Sequence, residues 1–200
     1  MPIFTPMKHL TLPLLFLGAA LSCAAPNPEP ETARDAWFGA LSQHCGNAYA
    51  GKLTYEPEGD DMLTGTETLI VHFRECSDSL IKAPFHIELE EAQDWNRSRT
   101  WIFTKHADNL ELRHDHRNPD GTDDEVTMYG GFSRDEGTAI RHEFKSEPRT
   151  LESGVFRGWR IEVVPGVRYT YGTIQDTTWT WRIDFDLSTP VEAPPAPWGF

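Results

Sequence analysis

Residues 178–187 read TWTWRIDFDL, and their alternation decides the fold class. Arg182, Asp184 and Asp186 stand between apolar neighbours, so polar and apolar side chains alternate along the stretch. Successive side chains of a β-strand point to opposite faces, which makes a period of two the pattern of a strand with one buried face. The side chains predicted to face the core are Trp179, Trp181, Ile183, Phe185 and Leu187.

The same alternation recurs along most of the chain. It predicts strands across residues 69–74, 81–88, 159–163 and 167–171, the last with Val167 on its inward face, and further strands near 101–106, 109–116, 126–130 and 138–144. About eight to ten short antiparallel strands joined by turns are typical of a barrel or a sandwich. Hairpins between sequential strands and one short N-terminal helix favour an all-β, antiparallel calycin-like (lipocalin-like) β-barrel, with a β-sandwich as the alternative.

The predicted helix lies ahead of the first strand. Thr32 is its N-cap, and Asp35 follows three residues later as in a capping box. Gly46 stands where a helix commonly ends. The apolar stripe that this helix would bury is Trp37, Phe38 and Leu41.

The N-terminal residues have the composition of an export signal. Lys8 precedes an apolar run of about a dozen residues, and the small residues SCAA follow at positions 22–25. This run is shorter than the ~20 residues of a membrane-spanning helix. Cleavage after Ala24 would release a soluble protein. Lipidation of Cys23 is the alternative, because ALSC at positions 20–23 resembles a lipoprotein box, and the lipid would then be the protein's contact with a membrane.

These features divide the chain into four parts. They are a signal peptide at 1–24, a Pro-rich spacer at 25–31, a single β-rich domain at 32–189 and a Pro-rich C-terminal tail at 190–200. The protein is therefore predicted to be exported. Its predicted location is the periplasm or cell envelope, lipid-anchored or soluble, or the medium outside the cell.

The chain is acidic, with 31 Asp and Glu against 18 Lys and Arg and a formal net charge of −13. Such a surface repels nucleic acid and anionic lipid, so no nucleic-acid partner is predicted. Cys45 and Cys76 remain after the signal, and an even pair in an oxidising compartment predicts a disulfide between them. Two buried free thiols are the alternative, and the lack of a CxxC pair argues against a zinc site.

Three histidines fall on faces predicted to be apolar. His114 and His116 share the parity of Leu112 on one strand, and His142 shares the parity of Ile140 on a later one. Imidazoles that face inward could line a ligand pocket or bind a transition metal. The alternative is that they are core residues satisfied by hydrogen bonds, or that they lie at an open rim. No other cofactor is predicted.

Aromatic side chains are numerous enough to wall a pocket. A closed sheet of about eight strands can hold one small molecule, so the predicted ligand is small and apolar or aromatic. The aromatic residues assigned to this pocket, beside the three histidines, are Trp101, Tyr129, Tyr169 and Tyr171. Further inward aromatic positions are Trp159 and Trp181.

Several short stretches together resemble an uncharacterised family of exported proteobacterial proteins. The stretches are CGNAY at 45–49 with Gly51, SRTW at 98–101, HDHR at 114–117 with Asp120 and Gly121, MYGG at 128–131 and DFDLS at 184–188. The resemblance would cover most of the mature chain and implies export. It brings no activity, cofactor or site residue with it.

The predicted function is that of an exported envelope protein whose barrel binds a small ligand without catalysis. A structural or interaction lipoprotein of the cell envelope is the second hypothesis. A hydrolase or metal-dependent enzyme using His114, His116 and His142 is the third. The sequence specifies neither the ligand nor the oligomeric state.

Overall fold

Two short α-helices and a large antiparallel sheet make up the fold in a computed structural model, which describes residues 1–3, 31–59 and 63–200. The helices are α1 (Ala33–Ser42) and α2 (Glu147–Ser153), and a 3-10 turn spans Glu90–Ala92. The strands are β1 (Ala48–Tyr55), β2 (Leu69–His72), β3 (Glu75–Cys76), β4 (Leu80–Leu89), β5 (Asp94–Lys105), β6 (Leu110–His116), β7 (Tyr129–Phe132), β8 (Arg141–Lys145), β9 (Arg157–Val164), β10 (Arg168–Gln175) and β11 (Thr178–Asp186).

The strands form one nearly closed, barrel-like sheet. Their order is β7-β6-β5-β4-β2-β1-β11-β10-β9-β8, and β3 pairs with β4 outside this path. The two end strands approach each other through a bridge between Ser133 and Phe144 and a hydrogen bond of 2.7 Å from the Arg134 N–H to the Glu143 carbonyl. The all-β barrel predicted from the alternation is therefore confirmed.

Helix α1 lies against one end of the barrel. The Thr32 hydroxyl caps it by accepting from the Asp35 N–H at 3.1 Å, as the capping pattern predicts. The helix ends at Ser42, earlier than the predicted end at Gly46. Gly46 instead adopts a φ of +84° in the following turn, where its N–H donates to the Phe73 carbonyl at 2.7 Å.

The buried stripe of α1 fills this end of the barrel. The Trp37 ring is fully buried and lies 5.7 Å from the ring of Phe103, which points inward from β5. Trp37 also contacts Phe144 of β8, at 6.0 Å between ring centroids. Leu41, one turn further along the helix, is fully buried as well. Because aromatic side chains occupy the space between helix and strands, this end is a packed core.

The predicted disulfide is confirmed. Cys45 and Cys76 are bonded, with their Cα atoms 6.2 Å apart. The bond connects the turn after α1 to the short strand β3, so it holds the helix end of the barrel together.

Three predicted inward side chains are corrected by the structure. A register shift on β11 pairs Trp181 with Thr173 but Trp179 with Ile174, which marks a β-bulge. The extra residue flips Trp179 to the outer face, where the guanidinium groups of Arg160 and Arg182 lie over its ring at 4.9 and 5.3 Å.

The other two corrections concern turns. Val167 is 60% exposed and Ile140 is 52% exposed. Both lie just before the strands to which the alternation assigns them, so strand parity does not govern their side chains. His142, which follows Ile140 on β8, is nevertheless buried.

The C-terminal tail packs across the outer face of β4 and β5. The His86 Nε2–H donates to the Pro195 carbonyl at 3.0 Å, and burial beneath the tail leaves this histidine without exposed surface. Arg97 donates to the Ala196 carbonyl and accepts at its own carbonyl from the Trp198 N–H, both at 3.1 Å. Residues 31–200 thus form one compact unit that includes the tail.

The predicted export signal cannot be placed on the barrel. Residues 4–30, which hold Cys23 and nearly all of the predicted signal peptide and spacer, lie outside the described residues. Within the described part of the chain, neither helix has the length and apolar character needed to cross a membrane.

Candidate ligand-binding cavity

A cavity of about 280 Å³ occupies the end of the barrel remote from α1. Along β5, Phe103 touches the helix end, and the next inward residues in the other direction, Trp101 and Arg99, line the cavity. Its wall consists of Phe85, Arg99, Trp101, His114, His116, Tyr129, Arg149, Trp159, Tyr171, Thr173 and Trp181. Six of these eleven side chains are Phe, Trp or Tyr, so the wall is mainly aromatic.

Stacked rings form the inner part of the wall. Trp101 lies between Phe85 and Tyr171, with ring centroids 5.0 and 4.0 Å away and planes within 11° and 20° of parallel. The ring of Trp181 meets Tyr171 edge-on at 6.2 Å. Such pairs stabilise one another beyond the burial of their area, so the stack is a rigid surface on which a flat or apolar molecule can lie.

His114 is locked into this wall by two hydrogen bonds. Its ring stacks on Tyr129 at 4.7 Å, its Nδ1 lies 3.2 Å from the Tyr129 carbonyl, and its Nε2 lies 2.7 Å from the Tyr171 hydroxyl. Burial lowers the pKa of His114 to about 3, so the ring is neutral at physiological pH. A carbonyl can only accept, so Nδ1 carries the proton and Nε2 accepts from Tyr171.

His116 lies at the rim of the cavity and is half-buried. Its Nε2 hydrogen-bonds the Tyr129 hydroxyl at 3.2 Å. Burial lowers the pKa of His116, the charge of Arg99 lowers it further, and the carboxylates of Asp124 and Asp115 act in the opposite direction. The ring is therefore biased towards its neutral form.

Two arginines complete the rim. Arg99 of β5 is half-buried, and its Nη1 donates to the Ser98 hydroxyl at 2.9 Å. Arg149 comes from α2, and its guanidinium carbon lies 5.8 Å from the ring centroid of Trp159. Among the described residues, the cavity wall contains no Asp or Glu, so its charge is opposite in sign to that of the chain as a whole.

The cavity adjoins a groove that runs along the seam between β7 and β8. At the seam Gly131 lies so close to the Lys145 carbonyl oxygen that an added Cβ would come within 1.8 Å of it. Beyond Lys145 the chain turns into α2, and a groove of about 1250 Å³ separates α2 from residues 126–132. The two spaces share four lining residues, His116, Tyr129, Arg149 and Trp159, so the groove lies directly beside the cavity.

The structure brings most of the predicted pocket residues together. Trp101, Tyr129, Tyr171, His114 and His116 all line the cavity. Tyr169 instead lies in the packed core, with its ring 5.3 Å from Phe73 and 5.7 Å from Phe185.

His142 is also buried but belongs to the other end of the barrel, where its ring lies 5.1 Å from Trp37. The three predicted histidines therefore do not meet. Within the described ranges, no group of three or more His, Cys, Asp or Glu side chains is arranged to hold a metal ion. The described wall of the cavity likewise combines no carboxylate with its imidazoles.

Sequence reasoning missed Phe85, Thr173 and both arginines as site residues. Arg99 carried a usable signal, because it shares the parity of Trp101 on the same strand. Arg149 carried none, since it lies on α2, a helix that the alternation does not predict and that contacts β9 only in the folded chain.

No protein family, curated protein or solved structure matches the chain. The geometry of the barrel and its cavity is therefore what indicates a function for this protein.

Proposed function

We propose that this protein is an exported binding protein that takes one small apolar or aromatic molecule into the barrel cavity, without catalysis. The observation that carries the proposal is a cavity of about 280 Å³ walled by stacked aromatic rings and adjoined by a groove. Aromatic-lined cavities with a few placed polar groups are the usual form of a small-molecule site.

The size of the cavity limits the ligand. Drug-sized molecules occupy sites of roughly 300–1,000 Å³, so this cavity lies at the lower end and suits a molecule of about one or two rings. The polar groups that such a ligand meets are already hydrogen-bonded to one another in part. His114 uses both ring nitrogens within the wall, so its role is to hold Tyr129 and Tyr171 in place.

Export is the second part of the proposal. A Cys45–Cys76 disulfide is compatible with an oxidising compartment outside the cytoplasm. The intact mass of protein from its native host tests export directly: a chain beginning at Ala25 or at a lipidated Cys23 agrees with the proposal. A mass that retains Met1 contradicts it.

Ligand binding can be tested with the processed protein purified from its native host. Native mass spectrometry should show a small bound molecule, and 2-naphthamide should bind the emptied protein and quench Trp fluorescence. Thr173→Trp should abolish this binding by filling the cavity, because Thr173 lines it. Gln175→Trp is the matched control, since Gln175 lies on the same strand but is exposed. Equal binding by both variants, or none by the native protein, would refute the proposed function.

A further inference from the structure

The cavity wall is positively charged, whereas the chain as a whole is acidic. The chain carries 31 acidic against 18 basic residues, yet the cavity wall holds two arginines and no carboxylate. In an acidic protein, a random sample of the surface would bring Asp or Glu next to these guanidinium groups. Their absence from this wall leaves a positive potential at an otherwise apolar site.

Neither arginine is neutralised from within the described part of the chain. Arg99 and Arg149 take part in none of the ion pairs found there. The arginines of the adjoining groove behave differently: Arg113 pairs with Glu111, and Arg134 pairs with Glu143 at 3.1 Å. The groove is also lined by the carboxylates of Asp124 and Glu147, whereas the described wall of the cavity has none.

Both charges act on the interior of the site. Burial raises the pKa of Tyr129, and the charges of Arg99 and Arg149 oppose that rise. The same two charges oppose the rise that burial causes in the pKa of Tyr171. Both guanidinium groups therefore lie near the phenols that border the cavity.

One further donor in the wall is unused. Trp181 is only 7% exposed, and its indole Nε1 has no hydrogen-bond partner among the described residues. A buried N–H without an acceptor is destabilising, so a bound acceptor at this position would be stabilised. An indole N–H can only donate, which makes oxygen lone pairs the group that satisfies it.

We infer that the ligand is a small carboxylic acid, bound as its anion with the apolar body on the Trp101–Tyr171 stack and the carboxylate at Arg99 and Arg149. This inference rests on the proposed function and deepens it by naming the ligand's charge. Arginine binds carboxylates through paired N–H donors, and such hydrogen bonds are about twice as strong as neutral ones. The aromatic wall excludes water from the apolar body, and the open rim lets the charged group remain near solvent, which reduces its desolvation cost.

The test compares two probes of the same shape, 2-naphthoate and 2-naphthamide, by Trp fluorescence at pH 7. The acid should bind at least tenfold more tightly than the amide. Arg99→Gln and Arg149→Gln should each weaken binding of 2-naphthoate about tenfold more than binding of 2-naphthamide, and high salt should reduce the preference in the native protein. Arg141→Gln is the matched control, because it removes the same charge at an exposed position on β8, outside the cavity wall.

The outcomes separate this inference from the proposed function. If both probes bind equally and the arginine variants change neither, the cavity binds ligands but the inferred charge is wrong. Tighter binding of naphthyl phosphate than of 2-naphthoate also overturns the assignment to a carboxylic acid. If neither probe binds, the function and the inference fail together. Arg99→Lys should restore part of the preference, which distinguishes lost charge from a disturbed fold.

Discussion

Aromatic side chains point inward at both ends of this barrel, but one end is filled and the other encloses a cavity. At one end Trp37 of α1 packs against Phe103 and Phe144, which also contact each other, and the space is filled. At the other end Trp101 and Tyr171 stack on each other, and a cavity of about 280 Å³ remains beside them. Inward aromatic residues therefore do not by themselves make a solid core; a barrel is filled where another element covers its end.

The polar groups follow the same division. The filled end is closed by a salt bridge between Lys105 and Asp35 at 3.2 Å, on the outside of α1. The open end instead carries Arg99 and Arg149 without a carboxylate partner among the described residues. The helix end thus carries a paired charge, whereas the two arginines of the cavity end take part in no ion pair among the described residues.

The largest expected effect compares one tryptophan from each end. Trp37→Ala should lower the free energy of unfolding by about 3–5 kcal/mol, because it opens a void in a fully packed region. Trp181→Ala should cost about 2 kcal/mol, because part of its ring already faces the cavity. Urea denaturation of both variants measures the difference. Equal losses would show that the two ends are packed alike and would remove the basis for a binding cavity.

Removal of the disulfide tests the helix end alone. Cys45 and Cys76 are 31 residues apart in sequence, and closing a loop of that length stabilises a fold by roughly 3–4 kcal/mol in the chain-entropy model. The double variant Cys45→Ala/Cys76→Ala should therefore unfold at a lower urea concentration. Because the bond lies away from the cavity wall, 2-naphthamide should bind the folded variant with unchanged affinity. Loss of binding in the folded double variant would show that the two ends are coupled.

Acid should destabilise the protein through the open end. The unfolded His114 accepts a proton near pH 6.5, and in the fold burial lowers its pKa to about 3. Below pH 6.5 the unfolded state therefore binds a proton that the folded state does not, and stability falls as the pH falls. From about pH 6.5 to about pH 4.5 the loss from this group should be roughly 2–3 kcal/mol.

NMR titration of the His114 ring, together with urea denaturation across this range, measures the effect. His114→Gln should have a shallower acid slope, because an amide does not titrate and can still donate to one neighbour and accept from another. A His114 pKa near 6.5 would mean that solvent reaches the ring freely, and the open end would then be wetter than its burial indicates.

Local pattern predicted the strands well because strand parity depends only on neighbouring residues. On β11 and at the residue that follows it, the predicted inward side chains are buried: Trp181, Ile183, Phe185 and Leu187. It failed at Trp179, because a bulge inserts one residue and reverses the face. It also failed at Val167 and Ile140, which lie in turns where alternation does not apply.

The site was predictable only in part. Trp101, Tyr129 and Tyr171 were assigned to a pocket from parity, and they line the cavity. Tyr169 has the same parity as Tyr171 on β10, yet it lies in the filled region next to Phe73. Strand parity predicts that a side chain faces inward, but it does not predict whether other side chains fill the space there.

The sequence by itself determined the class of the fold, the inward face of each regular strand and the one pair of cysteines available for a disulfide. These properties follow from short-range alternation and from residue counts. Only the tertiary structure decided that α1 fills one end, that the other stays open, and that Arg99 and Arg149 meet there from β5 and α2. The physical reason is that a cavity is the space left between elements distant in sequence, and no local pattern records how those elements pack.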